Sequence, residues 1–502
     1  MDDVSKNNSL QNLLNYYDQK NFEKVISKCK KLTLLNNKSY ILHSLMGASY
    51  EALNCYNEAI LSYKESLKIN NKIFETYFNL GNIYLKKFEF NNAIKNYKKA
   101  LLLNKTYSVA YNNLGIAYLE SNDLKNAEKT FKNLIKIDPD FSQGICNLAT
   151  VFLQNNNYLK ALKFYELAMK SKPSIEERIE IQKNLSLCQL KTENFSEGWK
   201  NYKSRLNSID YITLSNIPFF NFETNYKEII ILPEQGIGDE IFFSRFFNDL
   251  KKINKNFHYL CSEKLSLLFK NSFPNINFID KEKFIEDINF QKHCLNKYCF
   301  DSQIHIGDLA SFFIFDSKDI VSRSQKFLYT HELIPREIDG ILPKDKIICG
   351  LSWISKNKNT AFAQNNKEHV STSLINLKPL LNQKNFYFLD LNYVDTFDQR
   401  TKFYNDYGIK IEKFNQIDNL NNLNELSSLI NNCDFVISVS NTTAHLSAGL
   451  GKKTFLLLPN KNKKIWYWNS NFGQSNWYNS MKIYENFKEK DLKELIKILN
   501  NE

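Results

Sequence analysis

The sequence has 502 residues, more than one hydrophobic core usually holds, so two or three domains are expected. No run approaches the length of apolar chain needed to span a membrane, and the net charge of +12 comes without an arginine-rich tract or a nucleic-acid module, so neither a membrane span nor nucleic acid enters the reading. The nine cysteines lack paired spacing, and the start, MDDVSKNNSL, has neither a basic cluster nor an apolar run; together these predict reduced thiols in a cytoplasmic protein.

The first third of the chain repeats at an interval of 34 residues. Gly47, Gly81, Gly115 and Ala149 form one series, and Ala59, Ala93, Ala127 and Ala161 a second. Tyr50, Tyr84, Tyr118 and Phe152 form a third, and Tyr63, Tyr97, Phe131 and Tyr165 a fourth. This is the period of a tetratricopeptide repeat, a pair of antiparallel helices with small residues where the axes approach and aromatics where they diverge. One step back, Val25 and Cys29 mark a degenerate unit that caps the array. Asp138-Pro139 closes a unit, because proline excludes helical geometry from the residue before it. Asn184-Leu185 echoes Asn147-Leu148 after 37 residues, so a three-residue insertion precedes a last unit ending in Phe195 to Tyr202. The α-solenoid is therefore expected over residues 1–206. Such arrays offer a groove for a peptide or protein, or else simply support a neighbouring domain or a dimer. Residues 1–206 carry 30 basic against 20 acidic side chains, and the remainder 36 against 34. The surplus in the array either draws an acidic acceptor into the groove or is solvated lysine on the helix backs.

Only 14 glycines occur, so each is informative. Gly236 and Gly238 lie where the β-branched run Ile229 to Leu232 enters a turn and then a helical pattern through Phe242, Phe243, Phe246 and Leu250. In this strand, turn and helix, backbone N–H groups face the carboxyl edge of a sheet, where ligands bind. Asp239 there either meets a ligand or caps its helix. The strand Lys346 to Trp353, with Ser352 near its end, leads to a polar loop holding Lys356, Lys358 and His369. Further strands are expected at 386–391, 409–414 and 435–439, separated by helices, which predicts a parallel α/β sheet. After the last of these, Ser440, Asn441, Thr442 and Thr443 fill a turn before a helix that carries His445, and Gly449 and Gly451 precede a strand at 454–458. Hydroxyls, an amide and helix N–H groups suit a diphosphate; ordinary capping with a core histidine is the other reading. His293, Cys294, Cys299 and His305 match no zinc spacing. Trp466, Trp468 and Trp477 either pack the C-terminal segment or stack on a donor, and a last helix at 491–499 is expected to dock across two lobes.

Six ordered pieces resemble tetratricopeptide-linked glycosyltransferases of the two-lobed GT-B fold, related to bacterial heptosyltransferases and more distantly to O-linked N-acetylglucosamine transferases. They are Phe195 to Tyr202, Glu234 to Asp239, Gly350 to Trp353, Asp434 to His445 with Gly449 to Lys452, Trp466 to Trp468, and Trp477-Tyr478. The resemblance implies two Rossmann-like lobes at 227–340 and 346–485, followed by a C-terminal helix at 486–502. It implies an acceptor on the first lobe with Asp239 as general base. A nucleotide-diphosphate sugar, as co-substrate rather than cofactor, would sit on the second lobe near Gly236, Gly238, Ser352, Lys356, Ser440, Asn441, Thr442, Thr443 and His445, with no metal. Heptosyltransferase relatives carry Asp-Thr or Asp-Ser where this chain has Ser440-Asn441. That departure leaves a second reading, a non-catalytic binding or scaffold protein with a degenerate transferase domain.

Overall fold

A computed structural model describes residues 3–35, 39–207, 211–234, 236–331, 333–355, 371–458, 467–468, 470–471, 473–485 and 487–500. Lys356, Lys358, His369 and Trp466 lie outside the described residues. The chain divides into two compact units, residues 1–181 and 182–502.

In the first unit the 34-residue interval is a helix interval. The first helices of successive pairs are α3 (Tyr40–Ala52), α5 (Phe74–Lys86), α7 (Ser108–Glu120) and α9 (Ser142–Gln154). Their partners are α4 (Tyr56–Ile69), α6 (Phe90–Leu103), α8 (Leu124–Ile137) and α10 (Tyr158–Lys170). α1 (Asp3–Asp18) and α2 (Phe22–Leu35) supply the degenerate unit, with Val25 and Cys29 fully buried. α11 (Ile175–Lys191) crosses the division of the chain, so α12 (Phe195–Tyr202) belongs with the second unit.

The glycine and fourth aromatic series, 16 residues apart, are two halves of one contact rather than marks of approach and divergence. A β-carbon on Gly47, Gly81 or Gly115 would lie 2.6, 2.5 or 2.5 Å from the ring of Tyr63, Tyr97 or Phe131, and all three rings are fully buried. Gly81→Ala should therefore destabilise the array by about 1–3 kcal/mol through overpacking, against the roughly 1 kcal/mol that alanine ordinarily gains in a helix. A urea titration of the full chain followed by far-UV circular dichroism reads this as an earlier loss of helix; an unchanged midpoint would show that the ring yields freely.

The turn inside each pair has its own signal. Asn54, Phe88, Asn122 and Asn156 all have positive φ, near 60°. The next residue's N–H donates to the carbonyl of the third aromatic series, as in Cys55 to Tyr50 and Asp123 to Tyr118, which ends each first helix. Asparagine at three of the four positions suits the left-handed conformation, since its short polar side chain tolerates it.

The second unit holds one parallel sheet and one mainly parallel sheet with helices, an α/β arrangement. β1 (Glu228–Leu232), β2 (Asn256–Cys261), β3 (Asn277–Asp280) and β4 (Ser302–His305) form the first, in the order β3-β2-β1-β4. In the second, β5 (Ile347–Ser352), β6 (Phe386–Asp390), β7 (Phe435–Val439), β8 (Lys453–Leu458) and β11 (Met481–Glu485) are parallel. The short strands β9 (Ser470–Asn471) and β10 (Gln474–Ser475) add antiparallel, giving the order β6-β5-β7-β8-β11-β10-β9. Buried on both faces, the parallel strands read as continuous apolar runs such as Ile229 to Leu232.

Two expectations are corrected. The strand expected at 409–414 is a single bridge between Leu389 and Glu412. The buried residues there, Ile411 and Phe414, are three apart, a spacing no strand face allows, and Gly408 at φ 68° has just ended a helix. The last helix, Glu489–Asn500, does not dock across the lobes. Leu492, Leu495 and Leu499 join Leu374, Leu377 and Leu381 in the core of the second sheet.

Candidate active site

The turn after β1 leads into α13 (Ile237–Ser244), whose N-cap is Gly236, so Asp239 sits in the first turn and makes no capping bond. Neither Gly236 nor Gly238 has a positive φ; their reason is proximity. A β-carbon on Gly236 would stand 3.0 Å from Asp239 Oδ2, and one on Gly238 3.1 Å from the His445 ring. Asp239 is half-buried, and its Oδ1 accepts a 2.8 Å hydrogen bond from the Tyr467 hydroxyl. Burial pushes its carboxyl up to about 6; the Tyr467 bond works against this, Glu234 adds to it and Arg205 opposes it.

Beside Asp239 lies an ion network that motif reading passed over. Arg205, buried, donates to Glu234 Oε1 at 2.6 Å and to Asp308 Oδ1 at 2.6 Å. Glu234 also accepts from the Tyr211 hydroxyl at 2.9 Å and from the Gly307 N–H at 3.1 Å. The available signal was Glu234 within the Glu-Gln-Gly-Ile-Gly-Asp run; its cation is 29 residues away, just past the repeat-like helix α12.

At the second sheet's carboxyl edge the helix Thr442–Gly449 follows β7 and packs against α13. Most of the side chains expected to meet a diphosphate are engaged within the fold. Asn441, the N-cap, accepts from the Ala444 N–H and donates its amide to Ser352 Oγ at 2.8 Å and to the Ile354 carbonyl at 3.0 Å, tying β5 to β7. Thr443, fully buried, turns its hydroxyl to the Leu391 carbonyl. Ser440 accepts from the Trp468 indole N–H at 2.9 Å. Ser440 and Thr442 are the half-buried members of the group. His445 shares a 2.8 Å hydrogen bond with the Tyr478 hydroxyl and stacks on Trp468, with centroids 4.5 Å apart. Burial, with Arg245 nearby, drives its pKa down to about 3, so the imidazole is neutral. Trp468 and Trp477 are buried, which supports the packing reading for both.

The structure thus brings Asp239, Gly238 and His445 together at one meeting of helices. Ser352, Ser440, Asn441 and Thr443 are held by hydrogen bonds within the fold next to the N-terminus of the 442–449 helix.

Residues 47–175 are tetratricopeptide repeats. The Tetratricopeptide repeat family matches residues 74–107, 108–141 and 142–175, and the TPR repeat family matches 47–87. Protein FlbA of Caulobacter vibrioides is 26% identical over 281 residues, 52% of this chain and 45% of that protein. The chain thus spans less than half the length of this curated relative. Solved tetratricopeptide structures also match. MamA from Desulfovibrio magneticus RS-1 is 17% identical over 35% of this chain and 98% of its own, with a TM-score of 0.33. PilF of Pseudomonas aeruginosa is 15% identical over 41% and 93%, with a TM-score of 0.36. YrrB, described as a TPR protein with an unusual peptide-binding site, is 14% identical over 36% and 91%, with a TM-score of 0.31. No described helix is long and apolar enough to cross a membrane.

Proposed function

We propose that the second unit is a glycosyltransferase with two GT-B lobes, moving a sugar from a nucleotide-diphosphate donor to a hydroxyl acceptor, while the tetratricopeptide array holds a protein or glycan acceptor or a protein partner. The observation that carries the reading is Asp239, a carboxylate with proton affinity raised toward neutrality, set against the helix that follows β7. In this reaction the acceptor O–H gives its proton to Asp239 Oδ2 as the acceptor oxygen bonds to the anomeric carbon. The bond from that carbon to the diphosphate breaks, and the nucleoside diphosphate leaves with the electron pair. The N-terminal amides of the 442–449 helix and the Thr442 hydroxyl meet the growing negative charge. Turnover of one donor among ADP-, UDP-, GDP- and dTDP-sugars, with cell extract as acceptor source, is the expected result.

The engagement of Asn441, Thr443 and His445 within the fold favours the rival, a binding scaffold with a degenerate transferase domain. If no donor is consumed and none raises the melting temperature, the scaffold is the better description.

A further inference from the structure

The basic surplus of the array is sorted by helix. α3, α5, α7 and α9 carry one lysine, Lys86, against Glu51, Glu75 and Glu120. Their partners carry twelve lysines, ten of them on one helical stripe at spacing i, i+3, i+4, i+7. On α4 the stripe is Leu61, Lys64, Glu65 and Lys68; on α6 it is Lys95, Lys98, Lys99 and Leu102. On α8 it is Lys129, Lys132, Asn133 and Lys136, and on α10 Lys163, Glu166, Leu167 and Lys170. Lysine fills ten of the sixteen positions and leucine three, and all but Asn133 are exposed. α2 continues the stripe with Lys30, Lys31 and Leu34, the last 88% exposed. Because the positions recur every 34 residues, they fall along one side of the stacked pairs.

This face is not what a merely solvated surface requires. Lys95, Lys98 and Lys99, and again Lys129, Lys132 and Lys136, are like-charged neighbours on their helices, which costs roughly 0.2–0.5 kcal/mol per pair. Lys68 pairs with Glu65 within the stripe at 2.5 Å, and Lys132 with Glu128, outside it, at 2.6 Å. The ammonium groups of Lys30, Lys98 and Lys99 lie over the rings of Tyr50, Tyr118 and Tyr77, at 5.8, 5.5 and 5.1 Å, while all three side chains stay exposed. Leu61 and Leu102, among these charges, are 64% and 76% exposed.

We propose that this stripe docks the array on an anionic membrane surface. Lysine is depleted from protein interfaces, whose anchors are Trp, Tyr and Arg, and the stripe has none of those three. The absence of arginine also disfavours nucleic acid, whose base and phosphate geometry the guanidinium fork reads. Lysine with protruding leucine is the composition of faces that lie on lipid, where ammonium groups meet phosphate and carboxylate headgroups and the leucines enter the acyl boundary.

The test is co-sedimentation of the full chain with vesicles of phosphatidylcholine alone, and of phosphatidylcholine with phosphatidylserine at about 2:1. Binding only to the mixed vesicles, weakened by added salt, is expected. Changing Lys95, Lys98, Lys129 and Lys132 together to Gln should lower the partition on the order of a hundredfold or more. A second set, Lys64, Lys99, Lys136 and Lys163 to Gln, should behave alike, and Leu61→Ser with Leu102→Ser should weaken binding with every charge retained. Circular dichroism checks that each variant keeps its helix. Equal binding to both vesicles, binding to neither, retention by a soluble polyanion such as polyglutamate without vesicle binding, or wild-type partition in both lysine sets would overturn the proposal.

Discussion

Arg205→Ala is expected to cost the second unit about 3–5 kcal/mol, the largest loss from any single truncation considered, because it leaves two carboxylates buried without their cation. Glu234 and Asp308 have side chains 3% and 7% exposed, and both take a guanidinium N–H at 2.6 Å. Gly307 is shaped to the same pair, since a β-carbon there would collide with Glu234 Oε1. Arg205→Lys keeps the charge and loses the fork that serves both partners, so an intermediate loss is expected. Replacing all three together, as Arg205→Met, Glu234→Gln and Asp308→Asn, should recover much of the stability, since the penalty belongs to the orphaned charge. Thermal unfolding followed by near-UV circular dichroism measures the series. If Arg205→Ala melts with the parent, water reaches the network and the carboxylates are not desolvated.

The repeat array was legible because its signal is multiplied. A Gly facing a Tyr or Phe ring means little once, yet Gly47, Gly81 and Gly115 repeat it at a fixed interval, and the helix starts follow in step. The strands β5, β6, β7 and β8 were legible for another reason, since strands buried on both faces leave unbroken apolar runs. Residues 409–414, Ile-Lys-Ile-Glu-Lys-Phe, imitated a strand by alternation instead; their buried pair, Ile411 and Phe414, packs as loop. At the candidate site the turns after β1 and β7 were legible, and the hydrogen bonds that engage their side chains were not. Asn441 and Thr443 are the residue types that bind phosphate, but the same hydrogen-bonding capacity lets them join β5, β6 and β7 from within. Local spacing cannot distinguish the two uses, because the partners, Ser352 and Leu391, are 89 and 52 residues away. The Arg205 network escaped for the same reason.

In the proposed transfer, Asp239→Asn should lose about 10²- to 10⁴-fold in turnover while nucleotide affinity stays within a few-fold, because an amide keeps the shape and cannot take the acceptor's proton. The same substitution should make the protein more stable near pH 8. The folded carboxyl is pushed up to about 6, above its unfolded value near 3.9, so the folded state holds the proton more tightly. Whatever stability this contributes is complete below about pH 4 and is lost as pH rises through 6, by roughly 2–3 kcal/mol at most. The amide carries no such penalty, so the variant and parent should match at pH 4, once the substitution's own effect is allowed for, and diverge toward pH 8. Glu240, buried beside Tyr259 and pushed up to about 7, titrates in both proteins and cancels in the difference. Tyr467→Phe separates geometry from charge. It removes the hydrogen bond that lowers Asp239, so the acid limb of kcat/KM should move to higher pH with the carboxylate still present. Undiminished turnover in Asp239→Asn would remove Asp239 as the base. A normal pH profile in Tyr467→Phe, with Asp239→Asn inactive, would keep the base and show that the Tyr467 bond does not tune it.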